Sequence, residues 1–117
     1  MGKHDDWVVK NIERVLAAKA AERIQLVEDE WRKRIKELYD NSEALVTKIH
    51  NLRINQDNLR DDAKKTRDED KKKALRDKAN EIGEKIKEID KERKALLKEH
   101  DEELVKLEEY DRENASM

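Results

Sequence analysis

The stretch LVTKIHNLRINQDNL, residues 45–59, decides the fold because its apolar residues recur on one narrow helical stripe. Leu45, Ile49, Leu52 and Leu59 follow steps of four and three residues, and Gln56 stands where the next apolar residue is due. This is the a and d spacing of a heptad repeat, along which one helix packs against another. The stretch therefore predicts a coiled-coil helix whose apolar stripe is interrupted by one carboxamide.

The same spacing continues in both directions from this stretch without a change of phase. We call the resulting positions the first seam. They are Ile24, Glu28, Trp31, Ile35, Leu38, Ser42, Leu45, Ile49, Leu52, Gln56, Leu59, Ala63 and Thr66. A single polar residue in such a seam fixes the register of helix pairing at some cost in stability, and we interpret Gln56 in this way.

A second seam with the same spacing follows, and its phase differs from that of the first. Its positions are Leu75, Ala79, Ile82, Ile86, Ile89, Arg93, Leu96, His100, Glu103, Leu107 and Tyr110. The change of phase predicts a turn, for which Asp68 or Asp70 supplies a helix N-cap. If the chain reverses there, residues meet when their numbers add to roughly 138, so Trp31 faces Leu107.

The predicted fold class is all-α, a long antiparallel coiled-coil helical hairpin with an apolar N-terminal helical extension. We expect a single helical domain, 1–117, with a first arm over 4–66, a turn over 67–71, a second arm over 72–112 and a tail over 113–117. The alternative is an up-down-up three-helix bundle with turns near 40–42 and 67–70. The stretch YDNSEA, residues 39–44, favours that alternative, because Asn41 suits a helix C-terminus and Ser42 a helix N-cap. The unbroken heptad phase across this stretch favours the hairpin.

Composition agrees with a thin helical core. Half of the 117 residues are charged, 35% are apolar, proline is absent, and the two glycines are Gly2 and Gly83. The strong period argues against disorder, which such a composition also permits. With no cysteine, disulfides and thiolate metal sites are excluded. No apolar run approaches the roughly 20 residues that span a bilayer, so we expect a soluble protein with no membrane partner, cytoplasmic by default.

The N-terminal segment, residues 5–21, is the most apolar part of the chain, and the hairpin register leaves nothing opposite it. An apolar helix without a partner predicts an interface. The candidate interface residues are Trp7, Val8, Ile12, Leu16 and Ala20. Three interpretations remain open: core of a compact bundle, self-association into a homo-oligomer, or docking on another helical protein.

Few residues suit catalysis or metal binding. His4, His50 and His100 are the candidate bases in the neutral range. His100 and Glu103 have the spacing found in carboxylate-bridged metal bundles, but the position that would continue the pattern is Leu97. Glycine-rich phosphate loops are absent, and the only serines are Ser42 and Ser116. We expect no enzyme, no metal and no cofactor.

The leading functional interpretation is a non-enzymatic coiled-coil scaffold or adaptor that acts through helix–helix association. The second is an engineered helical bundle with no natural ligand. The third is a nucleic-acid contact through a basic hairpin tip, since residues 60–78 carry nine Lys and Arg; six interleaved acids disfavour it. The heptads are similar to those of coiled-coil hairpins and spectrin-like repeats, in which a tryptophan recurs in the first helix as Trp31 does here; this likeness identifies no family.

Overall fold

The computed structural model describes residues 3–115, with side chains from residue 7 onward. It contains two helices, α1 over Lys3–Lys65 and α2 over Glu69–Asn114. The two form the predicted all-α antiparallel coiled-coil hairpin. The side chain of His4 and the last two residues of the predicted tail, 116 and 117, lie outside the described part.

Helix α1 passes without interruption through residues 39–44, so the three-helix alternative is wrong. The Ser42 hydroxyl does not cap a new helix. It donates a hydrogen bond to the Tyr39 carbonyl oxygen of its own helix at 2.6 Å, and Ser42 is buried in the first seam. No described residue other than glycine has a positive φ, so Asn41 does not adopt the left-handed conformation that ends a helix. The stretch 39–44 is accommodated within one continuous helix.

The reversal takes three residues, 66–68, and is tighter than the predicted turn over 67–71. The Thr66 hydroxyl donates to the Asp62 carbonyl oxygen at 2.7 Å and so occupies one of the last carbonyls of α1. Asp68 is the N-cap of α2, because its carboxylate accepts a hydrogen bond from the Asp70 amide at 3.0 Å. This cap lets α2 begin at Glu69, three residues before the predicted start at 72.

The described residues fall into two compact units. The loop unit is Lys36–Glu102, and the terminal unit combines Met1–Ile35 with Glu103–Met117. In the loop unit, the Gln56 carboxamide donates to the Ala79 carbonyl oxygen across the hairpin at 3.0 Å. Buried side chains line this unit along both seams; they are Ser42, Ile49, Ala63 and Ala79. Small residues in both seams allow the two helix backbones to approach closely.

In the terminal unit, the buried residues are Glu28, Ile35 and Leu107. Trp31 contacts Glu103 and Tyr110, which lie one helical turn to either side of Leu107. Leu107 is the partner that the predicted register assigns to Trp31. The helices of this unit therefore pair in the register expected from the two seams.

Solvent exposure follows the seams closely. Between residues 22 and 65, every α1 residue that is buried or half-buried is a first-seam position. All second-seam positions are buried or half-buried as well, and they are flanked by half-buried side chains such as Leu97 and Asp90. The core of each unit is thus a single layer of side chains between two helices.

Candidate association surface

The N-terminal part of α1 extends past the end of α2 within the terminal unit. In the observed register Asn114, the last residue of α2, lies near the turn of α1 that contains Ile24. The residues that precede this turn in α1 carry large apolar side chains with much of their surface in water. Their exposed fractions are Trp7 64%, Val8 46%, Val9 53%, Ile12 53%, Val15 53% and Leu16 61%.

Most of these side chains share one helical face. Val8, Ile12 and Leu16 are separated by four residues each, and Val9 and Val15 flank them, so all five project from one side of α1. We call these five residues the N-terminal face. Asn11, Ile12, Val15 and Leu16 line a shallow groove of about 230 Å³ along it. A helix that presents apolar side chains could place them in this groove.

The structure divides the five predicted interface residues. Val8, Ile12 and Leu16 belong to the N-terminal face, and Ala20 lies at its edge. Trp7 lies on a different side of α1. Counting back from Ile24 in alternating steps of three and four residues reaches Trp7, so Trp7 is in the phase of the first seam. All five are exposed, but they do not form one continuous patch.

Exposed apolar side chains continue on the side of α1 that bears the N-terminal face, beyond the predicted segment 5–21. Leu26 and Val27 lie further along the same side of α1 and are 65% and 46% exposed. Sequence reasoning missed them because they lie beyond residue 21, between the first-seam residues Ile24 and Glu28. The signal that could have revealed them is a second series of apolar residues, also spaced by three and four, that is displaced from the first seam.

Glu103, one of the two residues with metal-site spacing, is occupied by another contact in the terminal unit. The Trp31 indole donates a hydrogen bond to its carboxylate at 2.8 Å. This hydrogen bond, assisted by the nearby cations of Lys106 and Arg34, lowers the pKa of Glu103 below its ordinary value. Glu103 thus remains an ionised acceptor that positions the indole.

His100, in the loop unit, is placed against Tyr39, with their ring centroids 5.8 Å apart. Its Nδ1 lies 3.0 Å from a carboxylate oxygen of the adjacent Asp101. Among the described residues, no group of three or more metal-ligating side chains comes together. The described contacts of His100 are therefore a polar contact with Asp101 and a ring contact with Tyr39 at the edge of the second seam.

A pair of carboxyl groups, Glu28 buried and Asp111 exposed, is the second feature that sequence reasoning missed. Glu28, a first-seam residue that is only 6% exposed, shares a hydrogen bond with Asp111 of α2, and this contact, together with burial, raises the pKa of Glu28. Arg32 donates to the same carboxylate at 3.3 Å and opposes this rise. Heptad counting places Glu28 in the seam, but only the interhelical geometry reveals that it faces another acid.

The loop unit has a groove of about 330 Å³, lined by Val46, Ile49, His50, Arg53, Asp90 and Arg93. Its acid is already paired: the Asp90 carboxylate accepts a hydrogen bond from the Arg93 guanidinium at 2.8 Å and lies 3.2 Å from Nζ of Lys94. These contacts hold the pKa of Asp90 below its ordinary value. The groove is consequently lined by an internal ion pair, and it lacks the continuous apolar surface of the N-terminal face.

Neither described helix combines enough length with enough apolar character to cross a bilayer. Comparison of the chain with protein-family models, with curated proteins and with solved structures finds no match.

Proposed function

We propose that the protein is a non-enzymatic coiled-coil scaffold or adaptor, and that the N-terminal face of α1 associates with another helix. The observation that carries this proposal is the exposure of Val8, Val9, Ile12, Val15 and Leu16 on one side of a helix that has passed the end of its partner. Contiguous exposed apolar surface of this kind marks interaction sites in soluble proteins. The partner is a protein, either a second copy or a different helical protein.

The energetic reason is the apolar surface that remains in water. Fully burying one aliphatic side chain contributes about 1.5 to 3 kcal/mol, and each side chain of the N-terminal face has roughly half of its surface still to cover. Covering all five would contribute on the order of 5 kcal/mol, which is comparable to the net stability of a small domain. This apolar contribution is available to offset the translational and rotational freedom that is lost when two helices associate.

Sedimentation equilibrium over a range of micromolar concentrations tests the proposal. We expect the wild-type chain to associate and the double variant Ile12→Glu with Leu16→Glu to be a monomer. The hairpin of the double variant should stay folded, because neither residue belongs to the first seam that packs against α2, and circular dichroism checks this. The matched control is Val46→Glu with Ile54→Glu, which places two glutamates on exposed apolar positions of α1 outside the N-terminal face.

The control variant should associate as the wild type does. A wild-type chain that stays monomeric throughout would exclude a second copy and leave a different helical protein as the partner. An association that both double variants weaken equally would contradict a role of the N-terminal face in binding.

A further inference from the structure

A second coiled-coil seam runs along the outside of α1. Steps of three, four, three, four and three residues connect Val9, Ile12, Leu16, Lys19, Arg23 and Leu26. All six are exposed. We call these positions the outer seam. Its spacing is that of a and d positions, the pattern by which a helix packs along a single partner helix.

The outer seam faces away from α2. Each outer-seam residue lies two positions after a residue in the phase of the first seam, as Leu26 lies two positions after Ile24. Two positions correspond to a rotation of about 200° around an α-helix. A helix bound along the outer seam would therefore leave the pairing of α1 with α2 undisturbed. Beyond Leu26 the same phase reaches Glu30 and Lys33, so the outer seam ends there.

We propose that the occupant of the outer seam is a second copy of this chain, whose α1 lies antiparallel to the first. This inference rests on the proposed function and specifies its partner. Two cations within the outer seam, Lys19 and Arg23, decide between the possible orientations of two identical helices.

Parallel copies would place equivalent positions against each other, so Lys19 would face Lys19 and Arg23 would face Arg23. Like charges at facing seam positions are destabilising. Antiparallel copies centred between residues 17 and 18 avoid both contacts. In that register each cation meets an aliphatic side chain of the second copy, over which its own methylene stem can pack while the charge stays in water.

The antiparallel register also provides charge complementarity. Arg23 faces Ile12 of the second copy, and the next residue of that copy is Glu13, which is exposed in this structure. The two-fold symmetry of the pair creates this Arg23–Glu13 proximity twice. At the two ends of the overlap, Val9 of one copy meets Leu26 of the other, so aliphatic residues cover aliphatic residues.

The extent of the surface is suited to a stable dimer. The overlap covers residues 8–27, which is about 30 Å of helix at 1.5 Å per residue. Seven exposed aliphatic side chains lie on or beside the outer seam; they are Val8, Val9, Ile12, Val15, Leu16, Leu26 and Val27. Together they present on the order of 600 Å² per copy, near the roughly 800 Å² per partner of a standard protein interface.

Spin labels on single cysteines test the arrangement, since the chain has no cysteine of its own. Ala18→Cys places a label near the centre of the overlap, where labels of two copies are close in either orientation. Glu30→Cys places a label beyond one end, where labels are close in a parallel pair but roughly 37 Å apart along the axis in an antiparallel pair. Distances are measured by pulsed dipolar spectroscopy on the full chain at concentrations where sedimentation shows association.

We expect a short distance from position 18 and a long one from position 30. Short distances from both would overturn the antiparallel arrangement but leave helix association through this face standing. If the chain associates and position 18 gives no intermolecular distance, the outer seam is not the site where copies meet. A chain that is monomeric at all concentrations overturns the second copy as occupant of the outer seam.

Discussion

Gln56 of α1 occupies the space that Gly83 leaves open on α2. Its carboxamide nitrogen donates to the Ala79 carbonyl oxygen at 3.0 Å, and a β-carbon built at Gly83 would lie 2.9 Å from that nitrogen. The glycine sits inside a helix with an ordinary φ, where glycine costs about 1 kcal/mol relative to alanine. Close approach of the carboxamide explains why glycine is present here, and the two residues form one interlocked pair in the loop unit.

The first prediction tests this pair with a double-mutant cycle. Gly83→Ala should change the stability of the wild type little, because the gain in helix propensity is offset when the carboxamide must shift away from Ala79. In a Gln56→Ala background the same substitution should stabilise the protein by about 1 kcal/mol. Chemical denaturation of the four proteins measures the coupling. Equal effects of Gly83→Ala in both backgrounds would show that the two residues are independent.

The second prediction concerns the turn. Inserting Gly-Gly between Thr66 and Arg67 should be nearly neutral, because it lengthens a short loop, leaves the Asp68 cap intact and changes loop entropy slowly. The same insertion between Asn41 and Ser42 should lower the melting temperature strongly. It shifts all following first-seam residues by two positions and turns them away from α2. Thermal unfolding of both insertion variants decides the matter, and the opposite ranking would contradict a continuous α1.

The third prediction uses the raised pKa of Glu28, whose ordinary value is 4.5. A carboxyl group with a raised folded-state pKa contributes stability below its ordinary value and loses that contribution as the pH rises through the raised pKa. When Glu28 ionises, its negative charge meets that of Asp111, which is one cause of the raised pKa of Glu28. Glu28→Gln should therefore raise the melting temperature at neutral pH and have little effect below about pH 4.

Melting temperatures of this variant and of wild type across the acidic range check the prediction. Glu22→Gln, an exposed acid on the same helix, is the control and should shift the melting temperature little at any pH. A Glu28→Gln variant that is less stable than wild type at pH 7 would mean that the Arg32 contact outweighs the repulsion from Asp111.

The fourth prediction has the opposite sign. The pKa of Glu103 is lowered from its ordinary value of 4.5, chiefly by the hydrogen bond from Trp31. Such a group contributes stability above its ordinary pKa and loses it as the pH falls through the lowered one. Glu103→Gln should lower the melting temperature at pH 7, and the difference should fade as the pH falls below about 4. A difference that persists unchanged to low pH would assign the loss to packing.

Much of the fold was predictable from the sequence, because the residues of a coiled coil that contact the partner helix recur with one heptad period. The heptad phase around Leu45 identified which α1 residues face α2, and it outweighed the local turn chemistry of Asn41 and Ser42 correctly. The start of α2 was predicted three residues too late. Whether Asp68 or Asp70 is the N-cap depends on backbone geometry, which the heptad spacing does not determine.

The candidate site was less accessible to this reasoning. Counting from a single phase finds one stripe, so the outer seam with Lys19 and Leu26 escaped it, although the same spacing defines both. The contact of Glu28 with Asp111 and the space at Gly83 depend on which residues of two helices meet. A register predicted to within a residue or two does not determine such side-chain pairs.

Amide hydrogen exchange as a function of protein concentration tests the central claim, that the N-terminal face is covered by association. We predict that protection of the amides from Val8 to Leu26 rises with concentration in the wild type, whereas protection around Ile49 and Ile86 in the loop unit does not change. In the variant with Ile12→Glu and Leu16→Glu, the N-terminal amides should exchange fast at every concentration. Wild-type protection of these amides that is independent of concentration, and as high as that of the loop unit, would contradict the account.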